Sequence, residues 1–454
     1  MVVTQTPVLN YSNVQISPQK SDLATIAQHM FELMLRNVAS NGFVFVDPLA
    51  VGRFSTRGCI LASPSYPANL GTVDQDYVFN WTRDAAITAM ELAASNMPTR
   101  PGEAPQPLID YVNFASICQN SGASIAHACY TIEGQPRPWT DQSDGPALQT
   151  LAILQAFSQL DATTQATAQT VIGKNINFLL GPSPTNSDIL VYQDETTNLW
   201  EERSGFSFFA RAVQVRCLQA IVANTYGVAV PASTAAAITW LQSALASHFN
   251  GSYYVTLLPQ IGHGDPDFPY DPNSDIVMAS IYGSIPCTDT KLLATAAQIR
   301  SYWEAHYPIN GADQTNNMGP MIGRYPGDSY DGDVSNPVPG GHPWVPCTCN
   351  FAQLYYTLAN AVSASQSVPI DSLSAPFFAQ IGVQQSTPWN QAVTSLQNAG
   401  DAMLNAVIYH SDHLELSEQF DGTSGYEKSV SDLTWSYASF ISAVRAKTGA
   451  NVLG

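Results

Sequence analysis

Charge is scarce in this 454-residue chain and basic charge scarcest: 12% of residues are charged, with 17 Lys and Arg against 36 Asp and Glu. The net charge of −19 excludes a polyanion as the expected partner, so neither nucleic acid nor an anionic membrane surface is expected. Long apolar runs are missing as well, and no stretch reaches the ~18 residues of a membrane span. Cysteine is sparse. Seven are present, an odd number and far below the density of a disulfide scaffold, leaving one or two unassigned bridges open. Cys347 and Cys349 have no second pair and no nearby histidines, so no zinc site, and more generally no metal or cofactor, is expected. There is no HExxH, no phosphate-cradling GxxxxGK[ST], no GxSxG elbow and no dinucleotide fingerprint. Met1 to Gln19 lacks a basic segment followed by an apolar run. Export without an N-terminal signal, or after removal of a leader, is therefore expected, with a cytoplasmic location as the alternative.

What is present is a large apolar fraction, 45%, enough for a sizeable core. The dominant pattern is helical. After Ser21, a cap residue, Leu23, Ile26, Ala27, Met30, Phe31 and Met34 trace one helical face. Eleven further helices are predicted near 84–97, 107–120, 145–159, 164–180, 205–224, 232–248, 276–284, 290–306, 347–364, 388–410 and 430–447. Short strands are predicted at 43–46, 189–192 and 253–256. No 30–50-residue repeat is visible, which disfavours a solenoid. Instead, helices that start after a loop rich in Trp, Asp, Glu, Arg and Pro alternate strictly with plain ones. The helix at 205–224 is apolar on most sides, whereas the first keeps Gln28, Glu32 and Arg36 on a polar side. An inner and an outer ring of six helices each, an all-α (α/α)6 barrel, accounts for both facts. An irregular all-α globule is the alternative.

The chemistry gathers in the special loops. They read Asp76 to Asp84 with Trp81 and Arg83, Trp139 to Pro146 with Asp144, Asn198-Leu-Trp200-Glu201-Glu202, His263 to Asp275, Arg324-Tyr-Pro-Gly-Asp328 on to Trp344, and Glu418 to Asp421 on to Asp432 and Trp435. More than half of the acidic residues fall there. Indole and phenol faces stack on the C–H faces of a sugar ring, while carboxylates and guanidinium groups bind its hydroxyls. Each residue taken singly has a plainer reading: Asp84 as a helix-dipole partner, Glu201-Glu202 as a solvated pair, and Asp328, Asp331 and Asp333 as a calcium loop, though without EF-hand spacing. Their recurrence at one end of alternate helices favours a sugar site. The available acid–base equipment is carboxylate, as glycoside hydrolysis requires.

These residues resemble a known family. Trp81-Thr-Arg83-Asp84, Asp144-Gly-Pro-Ala-Leu148, Leu199-Trp200-Glu201-Glu202 with Ser207-Phe-Phe209, Arg324-Tyr-Pro326 with Asp328, Pro343-Trp344, Glu418-Gln419 and Asp432-Leu-Thr-Trp-Ser-Tyr437 are similar, in order, to the glucoamylases of glycoside hydrolase family fifteen. A single catalytic domain over 1–454 is expected, and, with no Ser/Thr-rich linker in the sequence, no separate starch-binding domain. The resemblance again implies an (α/α)6 barrel. It implies exo-acting, inverting release of β-D-glucose from the non-reducing ends of α-1,4-glucans by a monomer. Glu201 would be the general acid and Glu418 the general base. Arg83 and Asp84 would hold the terminal glucose with Tyr77 and Trp435 near it. Arg324 and Glu202 would contact the next sugar, and Trp81, Trp139, Trp200 and Trp344 would line the pocket. Action on isomaltose, dextran or trehalose, and a binding protein without catalysis, are the competing readings.

Inversion needs the two carboxyls ~6.5–9.5 Å apart, with a water between. Apolar Trp200 and the charge of Glu202 are expected to keep Glu201 protonated, and Glu418 is expected in a wetter or hydrogen-bonded setting. The acidic rim predicts an optimum on the acid side of neutrality. Three departures from the family pattern stand out. Asn198 occupies a position where Asp is common, Asp328 follows Gly327 rather than an acid, and the spacing from Trp139 to Asp144 is one residue short.

Overall fold

A computed structural model describes residues 22–47, 52–65, 76–95, 97, 103–259, 269–332 and 337–451. Helix starts follow local capping chemistry. Asp22 accepts the amide of Thr25 at 2.8 Å and opens α1 (Leu23–Leu35). Next come α2 (Thr82–Ala94), α3 (Gln106–Gln119) and α4 (Asp144–Ala156). Asp161 caps α5 (Ala162–Leu179), and Ser207 caps α6 (Phe208–Ala223), so the helix predicted from 205 begins three residues later. Then follow α7 (Thr234–Ala246), α8 (Asp275–Ile281) and α9 (Thr290–His306), the last capped by Asp289. The remainder are α10 (Pro308–Thr315), α11 (Val345–Ser365), α12 (Ala375–Ala379), α13 (Trp389–His410) and α14 (Thr434–Thr448). All twelve predicted helices are present. The short α10 and α12 were not anticipated.

The architecture is the (α/α)6 barrel. Helices α2, α4, α6, α8, α11 and α14 each pack on the next, and α14 packs back on α2, closing an inner ring. Outside it, α1 packs on α14, α3 on α2, α5 on α4, α7 on α6, α9 on α8 and α13 on α11. The inner helices are buried on most sides: Thr82 through Ala93 of α2 and Thr434 through Val444 of α14 are all buried. Outer α13 buries one stripe, including Ala392, Leu396, Gly400, Met403, Leu404 and Val407. At Gly400 a Cβ would lie 2.7 Å from the Tyr356 ring, so glycine sets how closely α13 approaches α11. Among the described residues, no helix is long and apolar enough to cross a membrane.

Short antiparallel ribbons guard the N-terminal ends of the inner helices. They are β1 (Phe79–Trp81) with β2 (Cys129–Thr131), β3 (Thr196–Thr197) with β4 (Ser204–Ser207) and β5 (Leu257–Leu258), and β6 (Gln419–Phe420) with β7 (Glu427–Lys428). The three predicted strands are not among them. The 43–46 run makes only a single bridge, Val46 to Phe54. The 189–192 run ends in a 3-10 turn from Val191 to Gln193. In the 253–256 run only Tyr254 bridges, and ladder pairing starts one residue beyond it at Leu257, opposite Ser207. All seven cysteines are free thiols, so the bridges left open by the sequence do not form.

Candidate active site

A pocket of about 340 Å³ opens at the N-terminal ends of the inner helices, within the size range of small-ligand sites. All twelve residues singled out from the sequence line it: Glu201 and Glu418, Tyr77, Trp81, Arg83 and Asp84, Trp139, Trp200 and Glu202, and Arg324, Trp344 and Trp435. Of the loop 263–275, residues 263–268 lie outside the described residues.

Glu201 sits on the turn between β3 and β4 with a positive φ of 67°, a conformation uncommon for a side-chain-bearing residue. Asn198 holds this turn. Its backbone carbonyl accepts the Glu201 amide at 3.0 Å, and its side-chain oxygen accepts the amides of Glu202 and Arg203 at 3.1 Å each. Its side-chain amide donates to the Tyr270 hydroxyl, a bond that an Asp could not donate. The Glu201 carboxyl receives the Arg83 guanidinium at 3.0 Å on Oε1. On Oε2 it receives the indole N–H of Trp81 at 3.2 Å and of Trp139 at 2.5 Å. Trp139 is thus in place despite the shortened spacing.

Trp200 and Glu202, the chain neighbours of Glu201, make contacts of their own. The Trp200 indole donates to Asn273 at 2.9 Å and packs against Trp344 and Trp435. The charge of Glu202 is taken up by Arg324 at 2.8 Å and by the Tyr325 hydroxyl at 2.5 Å. The charge closest to Glu201 is therefore a cation.

Arg83, at the start of α2, is buried and shared. It donates to Gln142 at 2.5 Å, pairs with Asp144 at 3.2 Å and with Glu201, and lies over Trp435. Asp84 lies 3.9 Å from the Arg83 Nε, and burial pushes its pKa up to about 6 against the pull of Arg83. Asp144 is raised by burial as well, with Arg83 opposing. Arg324 is the second buried cation. Asp328 grips it in a fork at 2.6 and 2.8 Å, and the rings of Trp200, Tyr325, Tyr330 and Trp344 surround it. Asp328 is fully buried, so it orients Arg324 rather than meeting a sugar itself.

Glu418 has the hydrogen-bonded setting of the two that were expected, not the wet one. It is hydrogen-bonded but dry, with 3% exposure. Its Oε1 accepts the Tyr77 hydroxyl at 3.1 Å, and its Oε2 accepts the Ser429 hydroxyl. Burial pushes its pKa up to about 7, while Ser429, Tyr77 and Arg324 pull it down. The Tyr77 hydroxyl is in turn 2.7 Å from that of Tyr330. The backbone of Glu418 is fixed on both sides, to Val430 at 2.9 Å and to Val345 at 3.0 Å.

Sequence reasoning missed Arg137, Tyr330 and Ser429. Arg137 stands two residues before Trp139 and Tyr330 two after Asp328, so both were within reach of the motifs. Nothing in the sequence marks Ser429. No group of three or more His, Cys, Asp or Glu able to hold a metal ion occurs among the described residues. The site offers a carboxyl beside a cation and two indole N–H groups, a second carboxyl on two hydroxyls, and aromatic walls with two buried guanidinium groups.

Comparison with known proteins gives a consistent family. The family described as Glycosyl hydrolases family 15 matches residues 32–445. Glucoamylase 1 of Rhizopus oryzae is 28% identical over 84% of this chain and 66% of its own length. Glucoamylase GLU1 of Saccharomycopsis fibuligera is 26% identical over 98% of this chain and 93% of its own. The solved glucoamylase structure from Saccharomycopsis fibuligera superposes with a TM-score of 0.75 at 21% identity, over 98% of this chain and 99% of that one.

Proposed function

Because this chain belongs to family 15 of the glycosyl hydrolases, we propose that its pocket releases β-D-glucose from the non-reducing ends of α-1,4-glucans, by an exo-acting, inverting route. The observation that carries this reading is that Glu201 and Glu418, from loops more than two hundred residues apart, line one pocket on different partners. Glu201 gives its proton to the glycosidic oxygen as the bond to C1 breaks. Glu418 takes a proton from water as the water oxygen bonds to C1 from the opposite face, which turns an α-linkage into a β-product. Arg83 and Asp84 bind hydroxyls of the terminal glucose, and Arg324, oriented by Asp328 and Glu202, binds the next ring. The indole faces of Trp81, Trp139, Trp200, Trp344 and Trp435 and the Tyr77 ring exclude water and stack on sugar faces. All of these residues belong to this chain, so the proposed reaction calls for no residue from a second copy, and a working monomer is proposed.

The dry setting of Glu418 modifies the pH expectation. A base pushed up to about 7 is only partly ionised in moderate acid, so the optimum moves from the acid range toward neutrality. Product analysis on maltotetraose, isomaltose and trehalose, with anomer detection, tests the proposal. β-Glucose first and fastest from maltotetraose is expected, with Glu201→Gln and Glu418→Gln each slowed by several orders of magnitude. α-Glucose as first product, or an unimpaired Glu418→Gln enzyme, would refute the assignment.

A further inference from the structure

Trp139 is 41% exposed, yet its indole N–H reaches Glu201 at 2.5 Å. A large exposed ring on a connecting strap has several rotamers open to it, so this one has to be selected by its surroundings. The strap between β2 and α4 supplies the means. The Arg137 guanidinium lies over the Trp139 ring at 4.6 Å and over the Phe79 ring at 4.0 Å, a sandwich that anchors the indole to β1. Beside these rings the cation meets the Cys129 thiol and acts through space on Asp76, whereas Arg83 and Arg324 are held in close ion pairs by carboxylates.

The backbone of the strap is pinned on both sides of Trp139. The Arg137 amide donates to Cys129 at 3.1 Å, and its carbonyl accepts from His127 at 2.8 Å. The other His127 nitrogen faces Asp141 at 3.3 Å, and the Ala128 amide donates to Thr140 at 3.1 Å. Pro136 and Pro138 flank Arg137 and restrict its backbone further. Arg137 thus has a fixed base from which its side chain presses on the indole.

We propose that Arg137 is a positioning residue for hydrolysis, acting through Trp139 to hold the indole N–H on Glu201 and the indole face beside the departing sugar. The inference rests on Glu201 being the proton donor. Its test is a double-mutant cycle on maltotriose. R137A should lose on the order of tenfold in kcat with a smaller change in KM. R137K should recover little of this, because an ammonium lacks the planar face that stacks. W139F should be slow, and the W139F/R137A double variant no slower than W139F alone. Losses that multiply, or an R137A enzyme with normal kcat and only a lower Tm, would overturn the proposal. A second readout needs no turnover: oxidation of Trp139 by N-bromosuccinimide, located by peptide mapping, should speed up several-fold in R137A. An unchanged oxidation rate would overturn the proposal even if glucose release were absent, an outcome that would separately sink the hydrolase reading.

Discussion

Removing the Ser429 hydroxyl should move the acidic limb of the activity profile upward. Burial raises the Glu418 pKa to about 7, and the Ser429 bond is the largest influence opposing that rise. A hydrogen bond to a charged acceptor contributes ~1.5–3 kcal/mol, and one pKa unit is ~1.4 kcal/mol. Loss of the bond therefore raises Glu418 by about one to two units, with the lower figure applying if water takes the place of the hydroxyl. The sign is fixed: the hydroxyl donates to the ionised carboxylate, so its removal favours the protonated, inactive base. The assay is kcat/KM on a maltooligosaccharide across the pH range. Ser429→Ala should shift the acidic midpoint upward by at least about one unit and leave the alkaline limb where it is. Well below the midpoint the rate should fall about tenfold. Ser429 has a φ of 63°, which strains an alanine. Ser429→Gly removes the same hydroxyl without that strain, so both variants must shift alike. A midpoint that stays put in both would refute the hydroxyl's role, and a shift in the alanine variant alone would trace the effect to the backbone.

Asp275 makes stability pH-dependent: it is fully buried, accepts the Thr256 hydroxyl, and is pushed up to about 7 by burial. Its folded pKa exceeds the unfolded ~3.9, so its contribution is fully present below about pH 4 and is lost by ~1.4 kcal/mol per unit until about pH 7. Urea midpoints should show wild type losing about 3 kcal/mol more than Asp275→Asn between about pH 4.5 and 7.5, and parallel losses would contradict this. Asn198→Ala strands the amides of Glu202 and Arg203, and should lower kcat by about tenfold or more and stability by roughly 2 kcal/mol. Asn198→Asp keeps the acceptor and should retain most activity, so equal damage in both variants would count against the turn-holding role. Raising salt from about 0.05 to 0.5 M should leave the acidic midpoint in place, because desolvation rather than distant charge sets Glu418; a drift with ionic strength would point to the rim.

Legibility in the sequence followed the range of the contacts involved. The alternation of plain and loop-entered helices was readable because inner helices such as α6 must be apolar all round, a property of a single segment. Trp81-Thr-Arg83-Asp84 and Leu199-Trp200-Glu201-Glu202 were readable because several chemically distinctive residues share a few positions. Ser429 was not, since its bond to Glu418 exists only because β6 and β7 fold back on each other, and one serine carries no spacing signal. The apolar run at 43–46 does not extend into a strand because its pairing with 53–55 stops at one bridge, a length that composition does not reveal; Val44 and Val46 are exposed. Helix α10 is mostly polar and α12 has five residues, too little for a periodicity to show.

The net charge of −19 suggested a rim whose field would keep carboxyls protonated. The site works by a different balance. Its two buried cations are each matched locally, Arg83 by Asp84, Asp144 and Glu201, and Arg324 by Glu202 and Asp328. Exposed charges farther away are screened within ~8–10 Å, whereas a guanidinium 3.0 Å from Glu201 in a buried setting is not. For the pocket carboxyls Asp84 and Glu418 the largest influence is burial itself, with arginine opposing it and neighbouring acids adding less. The close packing of loops around Glu418, from Tyr77, Ser429 and Val430, is therefore also what sets its acid–base chemistry. The packing around Glu418 and the proton affinity of the proposed base are linked, and a substitution that admits water to Glu418 alters both.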